Sequence, residues 1–476
     1  MPTATRPSRL SRGRVTIYGS LRLIVEALVS ARGLVLAQLL GAGAFGTWAL
    51  FRLLLTYAHL GGLGYQHGLE KRIASAPPGS PDRLADAQTG NAFALLTFGG
   101  ISLFALVAAW VVPDPGMRAA LLGVAVCLLV ERLWSYGIIY LRATAAFRDF
   151  AFVELGSAVI NLVLVLALAM VLGLPGAVLG FLLAYVLGLL VMLRKVPYRP
   201  VLDLGRLRAL LHIGLPLSLS HLLGTMMSSI DRLVLLAFTD IMTLGLYAFA
   251  VAVGNLGGAA GGVIRTLVFP RLYRHAAEEG ARAGTIEHMR RTLLPFAWLT
   301  TPIIALAAAG VPLATAWLAP GFTTASTAAA IFLVGGVAVG SAQLVSLGVI
   351  AAGRQWLTPW VTGAGLGANL LAAVLVLQSG LGLTALATTT VAVRIAHLTA
   401  LVFILDMDRR QRMRTAAALA APIVWCAALV FAVAVSGMAV DLRGLGLALA
   451  ATALGLLPLA LPAWRILRNA AAQTGS

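Results

Sequence analysis

The sequence predicts an all-α protein that crosses a membrane about fourteen times, and three observations lead to this prediction. Of the 476 residues, 60% are hydrophobic and only 11% are charged, whereas soluble domains carry about 25% charged residues. The hydrophobic residues form runs that can cross a bilayer, which takes roughly 20 residues per helix. Lys and Arg lie in alternate connections between these runs, and the opposite connections contain Arg443 alone. Because basic residues favour the cytoplasmic side, both termini are predicted to be cytoplasmic.

The apolar runs are separated by clusters of Gly, Pro or Arg, which mark the ends of the predicted spans. In chain order these spans cover residues 18–40, 44–64, 88–112, 118–141, 150–172, 176–193, 212–238, 241–266, 293–317, 325–352, 357–378, 381–405, 415–435 and 444–466. Two longer inner connections, 65–87 and 265–291, are each expected to contain a short surface helix. In the first of them, Ser80 followed by Pro81 predicts the start of a helix.

A short motif indicates an internal repeat. Gly46-Thr47-Trp48-Ala49 opens the second span, and Gly245-Leu246-Tyr247-Ala248 opens the eighth in the same way. We therefore expect two six-helix lobes with pseudo-two-fold symmetry, followed by two C-terminal helices. The predicted division is a basic cytoplasmic tail (1–14), a first lobe (15–194), a cytoplasmic linker (195–211), a second lobe (212–406), and the last two helices with a cytoplasmic C-terminus (407–476).

Charge and composition exclude several other functions. The net charge of +18 would suggest nucleic acid in a soluble protein, but here the charge follows the membrane topology, so no nucleic-acid partner is predicted. Cys127 and Cys426 both lie in apolar runs, which does not favour a disulfide or a cysteine metal site. No His, Asp or Glu cluster has metal-ligand spacing, and no nucleophile arrangement or phosphate-binding loop is recognisable. The sequence therefore predicts no catalytic residue, no metal and no cofactor, and a protein that is not an enzyme.

Several segments in this order resemble the polysaccharide-exporting flippases of the multidrug/oligosaccharidyl-lipid/polysaccharide (MOP) exporter superfamily. The resemblance covers roughly the first 270 residues and depends on the order and spacing of motifs rather than on any single motif. The segments are Leu40-Gly41-Ala42-Gly43-Ala44-Phe45-Gly46-Thr47-Trp48-Ala49, Gly62-Leu63-Gly64, Lys71-Arg72-Ile73-Ala74, Leu141-Arg142-Ala143, Phe147-Arg148, Val153-Glu154, Ile213-Gly214-Leu215-Pro216-Leu217, Ser229-Ile230-Asp231-Arg232-Leu233 and Gly245-Leu246-Tyr247-Ala248.

The resemblance implies a flippase of the bacterial inner membrane that moves a polyprenyl-pyrophosphate-linked oligosaccharide to the outer leaflet for O-antigen, capsule or exopolysaccharide assembly. Its implied partners are this lipid-linked substrate, membrane lipids, H⁺ or Na⁺, and polysaccharide polymerase or assembly proteins. Two alternatives stay open. One is a cation-coupled drug exporter of the same superfamily, and the other is a membrane glycosyltransferase or polymerase acting on the same lipid-linked substrates, which the short outer loops disfavour.

Arginines inside the spans are the candidate substrate-binding residues. A charge at the centre of a spanning helix costs about 2.5–3.5 kcal/mol on insertion scales, so it should face a partner or a water-filled cavity. Arg32 and Arg52 have no acidic residue nearby in sequence and are expected to line the cavity and hold the pyrophosphate, which suits the planar guanidinium. Arg22 and Arg394 complete the predicted cavity set, although Arg22 could instead form a structural pair with Glu26, four residues later.

Acidic residues inside the spans are the candidates for ion coupling, namely Glu131, Asp231 and Glu26. Glu131-Arg132 and Asp231-Arg232 are adjacent pairs whose side chains point about 100° apart on a helix, so each residue is expected to pair across helices. Such pairs could simply hold a lobe together, or Glu131 or Asp231 could bind the proton or sodium ion that drives exchange.

Overall fold

The computed structural model describes residues 12–278, 282–351, 354–405, 407–436 and 442–474. Within these ranges the chain forms fourteen α-helices, three short 3-10 helices and no strand. Twelve of the α-helices are long and apolar enough to cross a membrane. The prediction of an all-α polytopic membrane protein is therefore confirmed.

Two of the twelve spanning helices are hairpins. Helix α1 (Arg12–Ala58) is interrupted at Gly41, where φ is +69°, and α5 (Phe147–Met192) is interrupted at Gly173, where φ is +63°. In α1, the Arg32 guanidinium lies 5.9 Å from the Trp48 ring, although sixteen residues of straight helix would separate them by about 24 Å. With 47 and 46 residues, each hairpin is long enough to cross a membrane twice, so the twelve helices can account for the fourteen predicted spans.

The remaining helices follow the predicted order, with one span divided in two. They are α2 (Tyr65–Ser75), α3 (Pro81–Val111), α4 (Pro115–Ala143), α6 (Leu204–Phe238), α7 (Ile241–Glu278), α8 (Arg282–Ala309), α9 (Val311–Leu318), α10 (Ser326–Ala351), α11 (Thr358–Gln378), α12 (Gly382–Phe403), α13 (Arg409–Val435) and α14 (Leu442–Thr474). The predicted ninth span is divided, since α8 ends before Gly310 and α9 follows it.

Among the described residues, only one of the two expected surface helices is found. Helix α2 confirms the first of them, and α3 begins as predicted, with the Ser80 side chain accepting a hydrogen bond from the backbone N–H of Arg83 at 3.4 Å. The second prediction is wrong. The spanning helices α7 and α8 continue into this connection, to Glu278 and from Arg282, in place of a separate short helix.

The repeated glycine motifs contact each other. A Cβ atom on Gly46 would lie 1.9 Å from the carbonyl oxygen of Ile241, and one on Gly245 would lie 2.0 Å from that of Ala42. Each glycine thus packs against the residue four positions before the other glycine. A two-fold relation produces this reciprocal contact. The contact joins the N-terminal half (α1 to α5) to the C-terminal half (α6 to α12), at the end of the bundle opposite α2.

The two halves also meet at the end of the bundle that carries α2, which we call the α2 side. A Cβ atom on Gly68 would lie 2.0 Å from the Leu210 carbonyl oxygen, and one on Gly214 would lie 1.9 Å from that of Gly64. The first turn of α6 is tied to α3 through Arg206. Hydrogen bonds from this side chain to Asp82 and Asp86, at 2.8 and 3.2 Å, raise its pKa above the ordinary arginine value.

Candidate functional site

Buried polar side chains form what we call the arginine cluster in the N-terminal half. Both arms of α1 contribute arginines, α4 contributes the adjacent Glu131 and Arg132, and the 3-10 helix His59–Gly62 contributes its first residue. The hairpin α5 supplies an amide and two aromatic rings. The members of the cluster are Arg32, Trp48, Arg52, His59, Glu131, Arg132, Asn161, Phe181 and Tyr185.

Arg32 is held by one amide and one aromatic ring. Its Nη1 donates a hydrogen bond to Oδ1 of Asn161, and its guanidinium lies 5.9 Å from the centre of the Trp48 ring. Only 7% of the residue is exposed, yet its Nε is buried without a hydrogen-bond partner. A cation in this position keeps an unused donor, which is costly in a low-dielectric environment.

Arg52 belongs to the same aromatic group. Its guanidinium lies 4.7 Å from the centre of the Phe181 ring, and that ring is 6.0 Å from Trp48. The structure thus brings Arg32 and Arg52 together, although they lie on opposite arms of the α1 hairpin. Nη1 of Arg52 is buried without a partner, and Arg52 forms no ion pair with any side chain that the structure describes. The face of an aromatic ring attracts a cation, but unlike an anion it neither neutralises the charge of a guanidinium nor accepts hydrogen bonds from its N–H groups as a carboxylate or phosphate does.

Arg132 and Glu131 form the charged pair of the cluster. Oε1 of Glu131 forms an ion pair with Arg132 Nη2 at 3.4 Å, and its Oε2 lies 3.1 Å from Nε2 of His59, within hydrogen-bond distance. The expectation that this dipeptide pairs only across helices is therefore wrong, because the long arginine side chain folds back onto its neighbour. Nε of Arg132 is a third buried donor without a partner.

The charges in this cluster do not balance. Among its described side chains, three guanidinium groups accompany one carboxylate, and three of the arginine nitrogens donate to nothing. Water-excluded guanidinium groups are the usual protein ligands for phosphate oxygens, which they bind through two parallel N–H groups. The arrangement can therefore hold an anion with about two negative charges, matching the excess of two cations.

The C-terminal half contains a different polar group, which we call the Asp231 network. Asp231 is fully buried, and its two oxygens accept hydrogen bonds from the Tyr247 hydroxyl at 2.7 Å and from the backbone N–H of Arg232 at 2.9 Å. The network continues from Tyr247 to Thr390, then to Asn369. Its last bond runs from Asn369 to the backbone carbonyl of Met227, at 3.0 Å.

The predicted residues therefore separate into three groups. Arg32 and Arg52 lie together in the arginine cluster with Glu131. Arg394 lies instead in the C-terminal half, 5.2 Å from the centre of the Phe332 ring, one helical turn beyond Thr390. Asp231 lies 4.0 Å from its neighbour Arg232 and accepts a hydrogen bond from Tyr247 on α7, so it interacts both within the dipeptide and across helices. The side chains of Arg22 and Glu26 lie outside the described residues.

Several members of the cluster were not predicted as site residues. The sequence predicts Arg132 only as a charge that pairs across helices, and it does not select His59 as a site residue. Asn161 had a usable signal, because a lone amide in the run Ala158-Val159-Ile160-Asn161-Leu162-Val163 must find a partner within the bundle. The aromatic residues gave no such signal, since Trp and Phe are common in apolar spans.

The fold resembles those of known transporters. The lipid II flippase MurJ, in an inward closed conformation, superposes with a TM-score of 0.71 and 11% identity, covering 95% of this chain and 99% of that one. An inward-facing multidrug resistance MATE family transporter of the MOP superfamily gives 0.69 and 16%, covering 84% and 98%. An outward-facing MATE transporter gives 0.61 and 16%, covering 85% and 96%.

Sequence comparison identifies one family. The family described as "Polysaccharide biosynthesis protein" matches residues 35–318. This range includes every member of the arginine cluster except Arg32, which lies just before it. No curated protein sequence matches the chain.

Proposed function

The chain belongs to the polysaccharide biosynthesis protein family, and on that premise we propose that it is a flippase for a polyprenyl-pyrophosphate-linked oligosaccharide. It carries the repeat unit from the cytoplasmic to the outer leaflet of a bacterial inner membrane, for O-antigen or exopolysaccharide assembly. In this proposal the α2 side is cytoplasmic, as are both termini. Polymerase or assembly proteins receive the product.

The observation that carries this proposal is the uncompensated charge of the arginine cluster. Three buried guanidinium nitrogens, on Arg32, Arg52 and Arg132, have no acceptor. A pyrophosphate diester carries two negative charges and several acceptor oxygens, so it offsets the excess of two cations and supplies the missing acceptors. A bound substrate therefore removes a cost that the empty protein bears.

Transport by alternating access requires the two halves to separate at one end at a time. The two halves touch through glycine contacts at both ends, Gly46 with Ile241 and Gly68 with Leu210. Between these levels the Tyr57 hydroxyl lies 2.9 Å from that of Ser229. We propose that release of the contacts on the α2 side admits the pyrophosphate head, and that release of the Gly46 contact delivers it. Glu131, Asp231 and Glu26 are the proposed sites at which H⁺ or Na⁺ drives this cycle.

A second function, export of cationic drugs, is favoured by a different observation. The Asp231 carboxylate is fully buried in a fold that MATE transporters share, and a buried carboxylate can bind a cation. The lipid-linked anion remains our proposal, because the described intramembrane charge of the N-terminal half is an excess of cations. A catalytic role is not proposed, since the described connections on the side opposite α2 are short, such as those between α3 and α4 and between α6 and α7.

Deleting the gene and locating the lipid-linked repeat unit tests this proposal. We expect the intermediate to accumulate and, in spheroplasts, to be inaccessible to a lectin added from outside, with the surface glycan lost. Re-expression of the wild-type chain should restore lectin access and glycan. A strain that keeps its surface glycan, accumulates no intermediate and becomes sensitive to cationic dyes would support the drug exporter instead.

A further inference from the structure

Two histidines face each other where the halves meet on the α2 side. The ring centres of His67 on α2 and His221 on α6 lie 6.5 Å apart, and the ring planes are inclined at 77°. Both residues are exposed, so water and protons can reach them. We call these two residues the histidine pair. Its members belong to opposite halves, so any force between them acts on the contact between the halves.

The histidine pair continues the glycine contact between α2 and α6. Gly214 of α6 packs against Gly64, and a Cβ atom on Gly64 would lie 2.6 Å from that of Ser218. Ser218 follows Gly214 by four residues and His221 follows Ser218 by three, so the three positions share one face of α6. His67 follows Gly64 by three residues and lies toward α6 in the same way. The pair is therefore part of the contact that has to open on the α2 side.

The other charged groups near His67 are paired with each other. Glu70, one turn later on α2, accepts hydrogen bonds from Arg142 of α4 at 2.7 and 2.8 Å. On α3, which also packs on α2, Asp86 is bound by two arginines at 2.8 and 3.2 Å. Helix α11, which packs along α6, contains no charged residue. Among the described side chains, His221 is the remaining titratable group that acts on His67.

Protonation of the histidine pair opposes the contact between α2 and α6. Partial burial of its ring and, to a smaller extent, the neighbouring His221 lower the pKa of His67 below the ordinary histidine value. A group that holds its proton less tightly when the halves touch weakens the contact as it becomes protonated. The contact is therefore strongest above the ordinary histidine pKa of about 6.5, and it weakens as the pH falls below that value.

We propose that the histidine pair is a proton-sensitive contact, which loosens the α2 side when both rings are charged. Two unit charges 6.5 Å apart in water repel enough to change the ratio of open to closed protein about threefold, and more where water is partly excluded. The proposal rests on the proposed function only in requiring that the α2 side opens. A proton that reaches this side of the protein then favours the opening that admits the next substrate.

Double electron–electron resonance on the detergent-purified full chain, with no substrate added, tests the proposal. Spin labels are placed on cysteines at Ala74 of α2 and Gln411 of α13, which are both exposed, whereas both native cysteines are buried. Helix α13 reports on the C-terminal half, because Trp298 Nε1 of α8 donates a hydrogen bond to the Ala418 carbonyl at 2.8 Å. We expect the ratio of longer to shorter distances to rise about threefold or more between about pH 7.5 and about pH 5.5, one unit on either side of the ordinary histidine pKa.

Substitutions of single histidines separate this contact from other titrating groups. His67→Gln and His221→Gln should each abolish the pH response, because one charged ring then has no charged partner to repel. His212→Gln, at an exposed histidine on the opposite face of α6, should keep the response. His221→Glu is the sharpest test. A proton on His67 then attracts the new carboxylate, so acid should favour the closed population and the response should change sign.

An unchanged distance distribution of the wild type between these pH values would overturn the proposal. A response retained by either glutamine variant would also overturn it, as would a response of unchanged sign in His221→Glu, each compared at the same size-exclusion profile. A wild-type chain that responds as expected but moves no lipid-linked oligosaccharide would support the proposal and contradict only the proposed substrate.

Discussion

The Asp231 network and the arginine cluster differ in how their buried polar groups are paired, although Nε of Arg232, beside Asp231, is also buried without an acceptor. In the C-terminal half, both oxygens of Asp231 accept hydrogen bonds, and the network continues through Tyr247 and Thr390 to a backbone carbonyl. In the N-terminal half, three guanidinium groups share one carboxylate and leave three nitrogens without acceptors. A satisfied network stabilises the fold by itself, whereas an unsatisfied one gains most from a ligand. The difference supports our proposal that the substrate binds in the N-terminal half.

The largest expected effect comes from removing a guanidinium of the arginine cluster. Arg52→Ala should lower glycan export by about 10- to 100-fold, because a hydrogen bond to a charged group contributes about 1.5–3 kcal/mol. Arg52→Lys should recover part of this loss, since it retains the charge but not the two parallel N–H groups. Export is measured as surface glycan relative to the amount of membrane-inserted protein, with Arg410→Ala as the control.

The same experiment distinguishes a binding role from a structural one. If Arg52 only stabilises the fold, the alanine variant should be lost from the membrane rather than accumulate there inactive. Full export by a well-expressed Arg52→Ala protein would contradict the assignment of the substrate to the N-terminal half. Arg32→Ala should behave like Arg52→Ala, because both guanidinium groups lie against the same aromatic group.

Substitution of either glycine at the contact between the halves should lower stability by a similar amount. Gly46→Ala and Gly245→Ala each place a Cβ atom about 2 Å from a backbone carbonyl of the other half, so each should destabilise the protein by about 1–3 kcal/mol. Gly43→Ala, on the same helix with nothing within 4 Å of its new Cβ, is the matched control. Thermal unfolding in detergent gives the comparison. A large effect of only one of the two substitutions would show that the halves do not contribute symmetrically.

A smaller effect is expected in the Asp231 network. Tyr247→Phe removes one hydrogen bond to Asp231 and should cost about 1 kcal/mol of stability, measured by thermal unfolding, with export per molecule within about threefold of wild type. Thr388→Val, on an exposed face of α12, removes a hydroxyl outside the network and serves as the control. If export instead falls more than tenfold at unchanged stability, Asp231 takes part in ion coupling, and the C-terminal half is not merely structural.

The smallest effect is expected from cysteines that report topology. Single cysteines at Asp114 and Asp240 should react with an impermeant maleimide in intact cells, whereas those at Ser80 and Gln411 should react only after lysis. All four positions lie at or next to helix ends, so export should be unchanged. Reaction of Gln411 in intact cells would reverse the proposed orientation, and the arginine cluster would then have to be approached from the other side.

Much of the fold could be predicted from local sequence, because a bilayer imposes a length and a composition on each helix. The Ser80-Pro81 start of α3 is a local signal of this kind, and the structure confirms it. The predicted helix in the connection 265–291 failed for a physical reason: the run of charged residues there also suits the ends of long helices that extend beyond the bilayer, as α7 and α8 do.

The candidate site could be predicted only in part. The absence of a nearby acid selects Arg32 and Arg52, since a lone charge in a span is unusual wherever it faces, and the structure brings these two residues together. The same reasoning also selected Arg394, which lies near Phe332 and Thr390 in the other half. No feature of the neighbouring sequence shows that Arg32 and Arg52 lie together in one half while Arg394 lies in the other.

Hydropathy and charge along the chain predict the number and order of the membrane spans and the excess of cations within them, because both are properties of each segment. Which cations meet depends on how the helices pack. The turn at Gly41 brings Arg32 beside Trp48. Asn161 and Phe181 lie on opposite sides of the turn at Gly173, where Asn161 contacts Arg32 and Phe181 contacts Arg52. These contacts depend on how helices pack across more than a hundred residues of chain, as for Arg32 with Asn161, and no periodicity within a single helix encodes them.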